Sequence, residues 1–427
     1  MRARSAASWS KSASARLAVA ETPLLFSPLA LRGVTARNRI VASPMCQYAS
    51  VDGAPTDWHL VHFGRFALGG AGIVFCEETA VEPQGRKTYD CAGIYRDDQA
   101  AAYRRIADFI RSMGAVPAIQ LGHCGRRAAT RGFMEGFAPL TEDDARAARP
   151  PWQGVSASAL AEGPAGIVPR AMDRDDIRRN VAAWRDAARR SVDAGFDLCE
   201  IHGAHGYLIH QFLSPVSNRR TDAYGGTREG RMRFALEVAE AVREAWPADR
   251  PLFFRTSAVD GPGGEWAMDD TVALALALKE RGVDAIDCSS GGISGDGDLA
   301  PVPRVPGFQA GYASEIRRRC GVPTVAVGLI TDAAHAERIL RDGHADLIAL
   351  ARELMFDPNW PMRAAHELGH RDPFGLLPRS EAFRLRLREA HARGLEAGSE
   401  VSIPFGPGEA VRYSWDTMVA DPRRRRD

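Results

Sequence analysis

Residues 311–350 read GYASEIRRRCGVPTVAVGLITDAAHAERILRDGHADLIAL. An amphipathic stretch (311–319) runs into Gly321, and the short apolar run Pro323–Val327 follows. Gly328 breaks that run, and Thr331 and Asp332 stand where a helix cap belongs. A second amphipathic stretch (332–341) reaches Gly343, and the apolar run Asp346–Leu350 follows it. Short β-branched runs alternating with longer amphipathic segments are the pattern of βα units. A glycine between helix and strand is the mark of a left-handed helix stop.

The same rhythm extends back through the chain. Further strands are expected at Asn38–Ser43, Gly72–Glu77, Ala115–Gln120, Asp197–Ile201, Pro251–Thr256 and Asp284–Cys288. Helices are expected near 57–69, 99–113, 173–194, 228–245, 269–281 and 358–367, with Asp97/Asp98 and Asp269 as further caps. Gly114, Gly195 and Gly282 repeat the joint between helix and strand. Eight such units in series point to a closed α/β architecture, a (β/α)8 TIM barrel. The open, doubly wound alternative lacks support, because no GxGxxG follows any strand.

Two segments interrupt the series. Residues 121–172, after the third strand, are rich in Gly, Pro and Arg and too long for an ordinary loop, so a lid or excursion over the barrel mouth is expected. Residues 371–427 form a C-terminal extension with a charged helix-like stretch (Ser380–Arg393) and the run Arg423–Arg426, read as a solvated tail. The barrel is therefore assigned to 23–370. Residues 1–22 form a leader rich in Ala and Ser, with Arg2, Arg4, Lys11 and Arg16 before the first acid at Glu21. That composition suits a flexible leader or an organelle transit peptide.

With 45% hydrophobic and 26% charged residues the chain can bury a sizeable core. A net charge of +1 argues against a broad nucleic-acid surface, and no apolar run approaches the roughly 20 residues of a membrane helix. The seven scattered cysteines form no CxxC pair, which argues against a disulfide scaffold, a zinc site or an iron–sulfur cluster. They fit a reducing compartment, and a cytoplasmic location is expected, with the basic leader carrying the organellar alternative.

In such barrels chemistry gathers at the C-terminal ends of the strands. There the sequence places Ser43-Pro44-Met45-Cys46-Gln47-Tyr48, Glu77-Glu78, Gln120, His202 to Tyr207, Arg255, Ser289 to Gly292, Gly328 and Arg352. Arg255 and Arg352 end apolar strands, where an unpaired charge is costly. They are either structural ion pairs or, with backbone N–H groups freed by Gly291, Gly292 and Gly328, a phosphate site; the glycine turns favour the phosphate. His202 and His205 can bind metal, donate to a substrate oxygen or cap their loop. No third ligand of clear pattern presents itself, so no metal is expected. Tyr207 is a candidate proton donor or an ordinary packing residue. Cys46 is a redox thiol or an inert one.

The stretch Leu25-Phe26-Ser27-Pro28-Leu29 through Asn38-Arg39-Ile40 and Ser43 to Tyr48 resembles the opening of the old yellow enzyme family of NADH:flavin oxidoreductases. The segments His202-Gly203-Ala204-His205-Gly206-Tyr207-Leu208, Gln211 to Pro215 and Ser217 to Gly226 are specific for it. The likeness runs from about Pro23 to Leu368 and is greatest to the thermophilic-like bacterial branch of ene-reductases. It implies bound FMN and transient NADPH or NADH. It also implies ping-pong reduction of the activated C=C bond of an enone-type small molecule, which explains the missing dinucleotide fingerprint.

By the same resemblance Ser43, Pro44, Met45 and Cys46 border the flavin ring, and Cys46 tunes its potential. Gln120 meets the pyrimidine edge and Arg255 the N1–C2=O side. Gly291, Gly328 and Arg352 serve the phosphate. His202 and His205 hold the substrate carbonyl, flanked by Tyr48 and Tyr207, with Tyr207 as proton donor.

Several residues depart from the family pattern. Glu78 stands where relatives carry a small flavin-contacting residue, so its carboxylate either alters the flavin or points away. Cys124 replaces a small alanine, and Ala351 a common glycine. The tail is longer than in relatives whose C-terminal Arg reaches a neighbouring subunit, so no such residue is assigned and a homo-oligomer stays an open expectation. Competing readings are a flavin barrel acting on a CoA thioester or a nitro compound, and a non-enzymatic barrel that binds a phosphate ligand.

Overall fold

Every apolar run just named forms a barrel strand. The computed structural model describes residues 22–163, 166–293, 302–393, 400–406 and 409–414. The leader up to Glu21 and the run Arg423–Arg426 lie outside them. The strands are β1 (Ile40–Ala42), β2 (Ile73–Ala80), β3 (Val116–Gly122), β4 (Leu198–Gly203), β5 (Leu252–Ser257), β6 (Ala285–Ser289), β7 (Thr324–Val327) and β8 (Leu347–Leu350). They pair in chain order, all parallel, and β8 closes on β1 through Ile348 opposite Ile40 and Leu350 opposite Ala42. Closure leaves no strand edge unpaired.

The outer ring is α1 (Asp57–Leu68), α2 (Asp97–Ser112), α3 (Arg174–Asp193), α4 (Arg228–Ala245), α5 (Met268–Glu280), α6 (Ala310–Cys320), α7 (Ala333–Arg341) and α8 (Trp360–Glu367). The expected helix stops are present: Gly321 and Gly343 hold φ of 57° and 72°, and Gly114, Gly195 and Gly282 share the left-handed region. Of the expected caps, Asp332 accepts the His335 N–H at 2.7 Å. Asp97 and Asp269 instead lie inside the first turns of α2 and α5, where they complement the helix dipole rather than cap it.

Two apolar layers follow from the period-2 pleat. Val41, Phe75, Ala118, Leu198, Phe253, Ala285, Val325 and Leu347 fill the barrel interior. The hairpin Leu29–Leu31/Val34–Ala36 packs Leu31 and Ala36 into the same cluster. The alternate residues, such as Ile40, Val74, Ile119, Ile201, Phe254 and Ile286, join the helices in the outer core.

The segment after β3 contains two short 3-10 turns, the helix Glu142–Ala145 and a parallel pair, Val155–Ser156 with Arg170–Ala171. It is an excursion lying on the loops beyond β1 and β2. Phe133 and Phe137 pack on Tyr48 at 5.9 and 5.3 Å, and Trp152 packs edge-on against Tyr89. Beyond the barrel, Phe374, Leu377 and Ala382 form a small cluster with Met362 of α8. Arg37 donates to carbonyls of Ala67, Ala71, Met113 and Leu376, tying the barrel's base to this extension. Burial pushes that guanidinium down to about 10. The helix Arg379–Arg393 and the hairpin Glu400–Gly406/Glu409–Ser414 follow. Among the described residues no helix is long and apolar enough to cross a membrane.

Candidate active site

Five of the strands run further at their C-terminal ends than their apolar runs. β2 continues through Glu77 and Glu78 to Ala80, β3 to Gly122, β4 to Gly203, β5 to Ser257 and β6 to Ser289. Barrel closure demands the ladder hydrogen bonds whatever the side chain, so polar residues are carried into the rim on strand backbone.

The loop after β1 is fixed from below. Glu77 accepts the Gln47 N–H at 2.8 Å and lies 3.0 Å from His59 Nε2 on α1. This holds Cys46-Gln47-Tyr48 in a shape in which Tyr48 takes φ of 52°. A second left-handed residue is His205, at φ of 59°. Such a backbone costs roughly 1–2 kcal/mol, and rim contacts support it. The His205 N–H donates to Ser257 Oγ at 3.0 Å, and its Nε2 lies 2.6 Å from Ser289 Oγ. Gly292 allows the approach: a Cβ there would lie 2.7 Å from His205 Cα.

His205 Nδ1 and His202 Nε2 face each other at 3.4 Å, and Tyr207 stands edge-on to the His202 ring at 5.0 Å. Burial, then the nearby Arg255 charge, holds both imidazoles well below their ordinary value. They are neutral at physiological pH. Burial and the neighbouring Cys124 push Tyr207 well above the ordinary phenol range, so it keeps its proton. Tyr48 is raised too, by burial first. Cys46 is pushed up by burial, then by Glu78 and Glu77. It is a thiol rather than a thiolate nucleophile.

A buried network lies under this group. Gln120 Nε2 donates to Glu200 Oε1 at 2.8 Å, and Arg255 donates to Ser43 Oγ at 3.0 Å with Asp287 Oδ2 at 3.6 Å. Glu200 on β4 and Asp287 on β6 meet across the interior, because β5 separates them along the wall. Burial, then mutual repulsion, raises Glu200 far above the carboxylate range, and burial also raises Asp287. One proton between the two acids satisfies both and leaves Asp287 to balance Arg255.

The opposite end of the rim is open. A cavity of about 820 Å3 is lined by His205, Ser289, Gly291, Gly328, Ala351 and Arg352 among others. That is the size range of small-molecule and cofactor sites. Gly328 holds φ of 121°, and a Cβ on it would lie 2.8 Å from the Phe308 ring. Arg352 is exposed at the wall and makes no side-chain hydrogen bond or ion pair among the described residues. The two arginines thus differ: Arg255 has an acid partner and Arg352 has none.

Of the residues singled out in the sequence, His205, Gly291, Gly328 and Arg352 line this cavity. Ser43 and Arg255 are hydrogen-bonded together, and His202 and Tyr207 adjoin His205. Pro44, Met45 and Cys46 are half-buried on the loop that Glu77 holds, and Gln120 is buried in the network. Both Glu78 carboxyl oxygens are buried without a hydrogen bond, close beside Gly122. The structure adds Glu200, Ser257 and Asp287, and it gives partners to Glu77 and Ser289, which the sequence placed at the rim without a role. The only sequence signal for them was a polar residue inside or ending an apolar strand. Among the described residues no group of three or more His, Cys, Asp or Glu could hold a metal ion.

A glycine-lined hollow with an uncommitted guanidinium at one end, and Arg255 Nε and His202 Nδ1 buried beyond it without a hydrogen bond, suits an elongated ligand with an anionic tail and a polar head. Fold and rim together define a barrel enzyme built around a phosphate-bearing cofactor. Residues 24–371 match the NADH:flavin oxidoreductase / NADH oxidase family, the old yellow enzyme family, and the chain belongs to it. It is an NAD(P)H:flavin oxidoreductase with FMN as its cofactor.

The chain is 44% identical over 348 residues to an NADPH dehydrogenase of Geobacillus sp. (strain WCH70), covering 81% of this chain and 95% of that one. It is 40% identical over 351 residues to an NADPH dehydrogenase of Bacillus subtilis (strain 168), covering 82% and 96%. Among solved structures it is similar to morphinone reductase in complex with tetrahydroNAD, with a TM-score of 0.65, 27% identity and coverage of 81% and 91%. The old yellow enzyme homologue from Zymomonas mobilis gives a TM-score of 0.66 at 25% identity, covering 81% and 93%.

Proposed function

We propose that this enzyme reduces the activated C=C bond of α,β-unsaturated carbonyl compounds, with NADPH as the hydride donor in a ping-pong cycle. The observation that carries this reading is the convergence of two neutral imidazole nitrogens, His202 Nε2 and His205 Nδ1, at 3.4 Å. The Ser289 hydroxyl lies 2.6 Å from His205 Nε2, and carbonyl binding requires the tautomer in which that hydroxyl donates and the His205 proton sits on Nδ1. One carbonyl oxygen set against both N–H groups replaces a long contact with two good hydrogen bonds. Those bonds strengthen as the oxygen gains negative charge.

Bound FMN would supply the two-electron hydride chemistry that links the nicotinamide to the substrate β-carbon. The chain's residues bind and orient. Gly291, Gly328 and Arg352 hold the phosphate. Ser43, Pro44, Met45, Cys46 and Glu78 border the ring, with Gln120 and Arg255 at its polar edge. Tyr48 flanks the substrate, and Tyr207 gives its proton to the α-carbon. Similarity to two NADPH dehydrogenases supports NADPH over NADH.

The test is anaerobic. Purified protein is expected to be yellow, to bleach faster with NADPH than with NADH, and to regain colour with cyclohexenone in one turnover. A nitro compound and a crotonyl thioester should reoxidise it more slowly. Colourless protein that takes up no FMN, or reduced protein that the enone leaves bleached, contradicts the reading.

A further inference from the structure

His205 sits on a backbone that enters the left-handed region twice in succession, with φ of 59° at His205 and 72° at Gly206. Both peptide planes flanking His205 are pinned. The plane before it is held through the His205 N–H by Ser257 Oγ at 3.0 Å. The plane after it is held at the His205 carbonyl by Arg127, and at the Gly206 N–H by Nδ1 of His210 at 3.0 Å. Fixing both planes fixes φ and ψ of His205, and with them the direction in which its ring leaves the chain.

His210 lies on the short helix Leu208–Leu213 and is buried behind the wall of the cavity. A backbone N–H can only donate, so Nδ1 of His210 carries no proton and the ring's proton sits on Nε2. That nitrogen lies 3.0 Å from Oδ1 of Asp260, in the loop after β5. Asp260 Oδ2 accepts from Ser214 Oγ at 2.7 Å and from the Glu265 and Trp266 N–H groups at 3.2 and 3.0 Å. Burial opposes a charge on this carboxyl, yet the bonds from His210, Trp266 and Ser214 outweigh it and hold Asp260 below its usual value. The carboxylate thus fixes which imidazole nitrogen faces Gly206. Gln211 completes the clasp, its Nε2 donating to the Gly206 carbonyl at 2.7 Å. The turn has no slack: a Cβ at Gly206 would lie 2.2 Å from the Gly292 carbonyl oxygen.

We propose that His210 is a positioning residue for the carbonyl-binding pair: with its tautomer set by Asp260, its Nδ1 pins the Gly206 N–H and so aims His205 at the oxygen shared with His202. The proposal rests on the reading of His202 and His205 as donors to a substrate carbonyl. His210 itself touches neither substrate nor flavin, and no bond to it breaks or forms in the cycle. Without an acceptor at Nδ1 the buried Gly206 N–H must turn to find another partner. The 205–206 peptide plane then rotates, and the His205 ring swings away from the oxygen. A misplacement of about 1 Å in a group that orients substrate can cost about 100-fold in rate.

Asparagine and glutamine divide the two tasks of the ring. His210→Asn keeps an acceptor where Nδ1 stood but does not reach Asp260. His210→Gln reaches Asp260 with a donor but leaves Gly206 without an acceptor. FMN-loaded enzymes are reduced anaerobically, and reoxidation by cyclohexenone is followed beside the flavin spectrum and the thermal midpoint. His210→Gln is expected to reoxidise about 10–100-fold more slowly than wild type with its flavin in place, and His210→Asn at close to the wild-type rate. The midpoints should fall in the opposite order, His210→Asn below His210→Gln, because a hydrogen bond to a charged group is worth more than one between neutral groups. A role confined to stability makes the rates follow the midpoints, and that result overturns the proposal. Each variant also decides alone: a fast His210→Gln or a slow His210→Asn overturns it. A His202→Ala/His205→Ala double variant is run in the same assay. If it is slow while His210→Gln is fast, the carbonyl reading survives without this proposal; if it is as fast as wild type, both fall.

Discussion

Replacing His202 and His205 together by alanine is expected to slow reoxidation of the reduced enzyme by cyclohexenone by about 10³-fold while FMN stays bound. The effect is large because the two imidazole nitrogens converge on one point, so losing both leaves the charge that develops on the substrate oxygen without its donors. His202 is buried, and both rings are kept neutral by burial and the Arg255 charge. Removing one oxyanion donor typically costs about 10²–10³, so each single variant should show most of the defect. Flavin binding should survive, because the phosphate corner at Gly328 and Arg352 is built from other strands. Stopped-flow reoxidation and the flavin spectrum check the two halves separately. A double variant that reoxidises normally, or one that loses its flavin, shows that the pair has another task.

Arg352→Ala is expected to weaken FMN binding by about 10–100-fold, the worth of a charge-assisted hydrogen bond of about 1.5–3 kcal/mol. The thermal midpoint of the flavin-free protein should be unchanged, because Arg352 has no partner to lose among the described residues. Arg255 provides the contrast. Its guanidinium balances Asp287 and holds Ser43, and removing one partner of a buried pair costs about 3–5 kcal/mol. Fluorescence titration of flavin-free protein with FMN, beside its melting curve, separates the cases. An Arg352→Ala protein that binds FMN as tightly as wild type contradicts the assignment.

The barrel was legible because its strands are short apolar runs set between amphipathic stretches, five of them just after a glycine joint. A left-handed joint such as Gly321 or Gly343 has little other use. The strand ends were not legible. Periodicity stops at a polar residue, whereas the ladder of a closed barrel continues through Glu78, His202 and Ser289. In the site, the two arginines looked equivalent in sequence, since each ends an apolar strand. Only the fold brings Asp287 beside one and leaves the other facing a hollow. The Glu200–Asp287 pair was invisible for the same reason: its members are 87 residues apart and meet across the barrel. The excursion was recognisable by length and composition, but its seating on Tyr48 depends on Phe133 and Phe137, which no local pattern marks.

Diffraction from crystals of the FMN-loaded enzyme tests the core of this account. The phosphate should lie in the hollow where β7 and β8 end, bonded to the Arg352 side chain and the Gly328 backbone, with the ring between Cys46 and the two imidazoles. Phosphate density elsewhere on the molecule, with the 352 side chain turned to solvent, would contradict it.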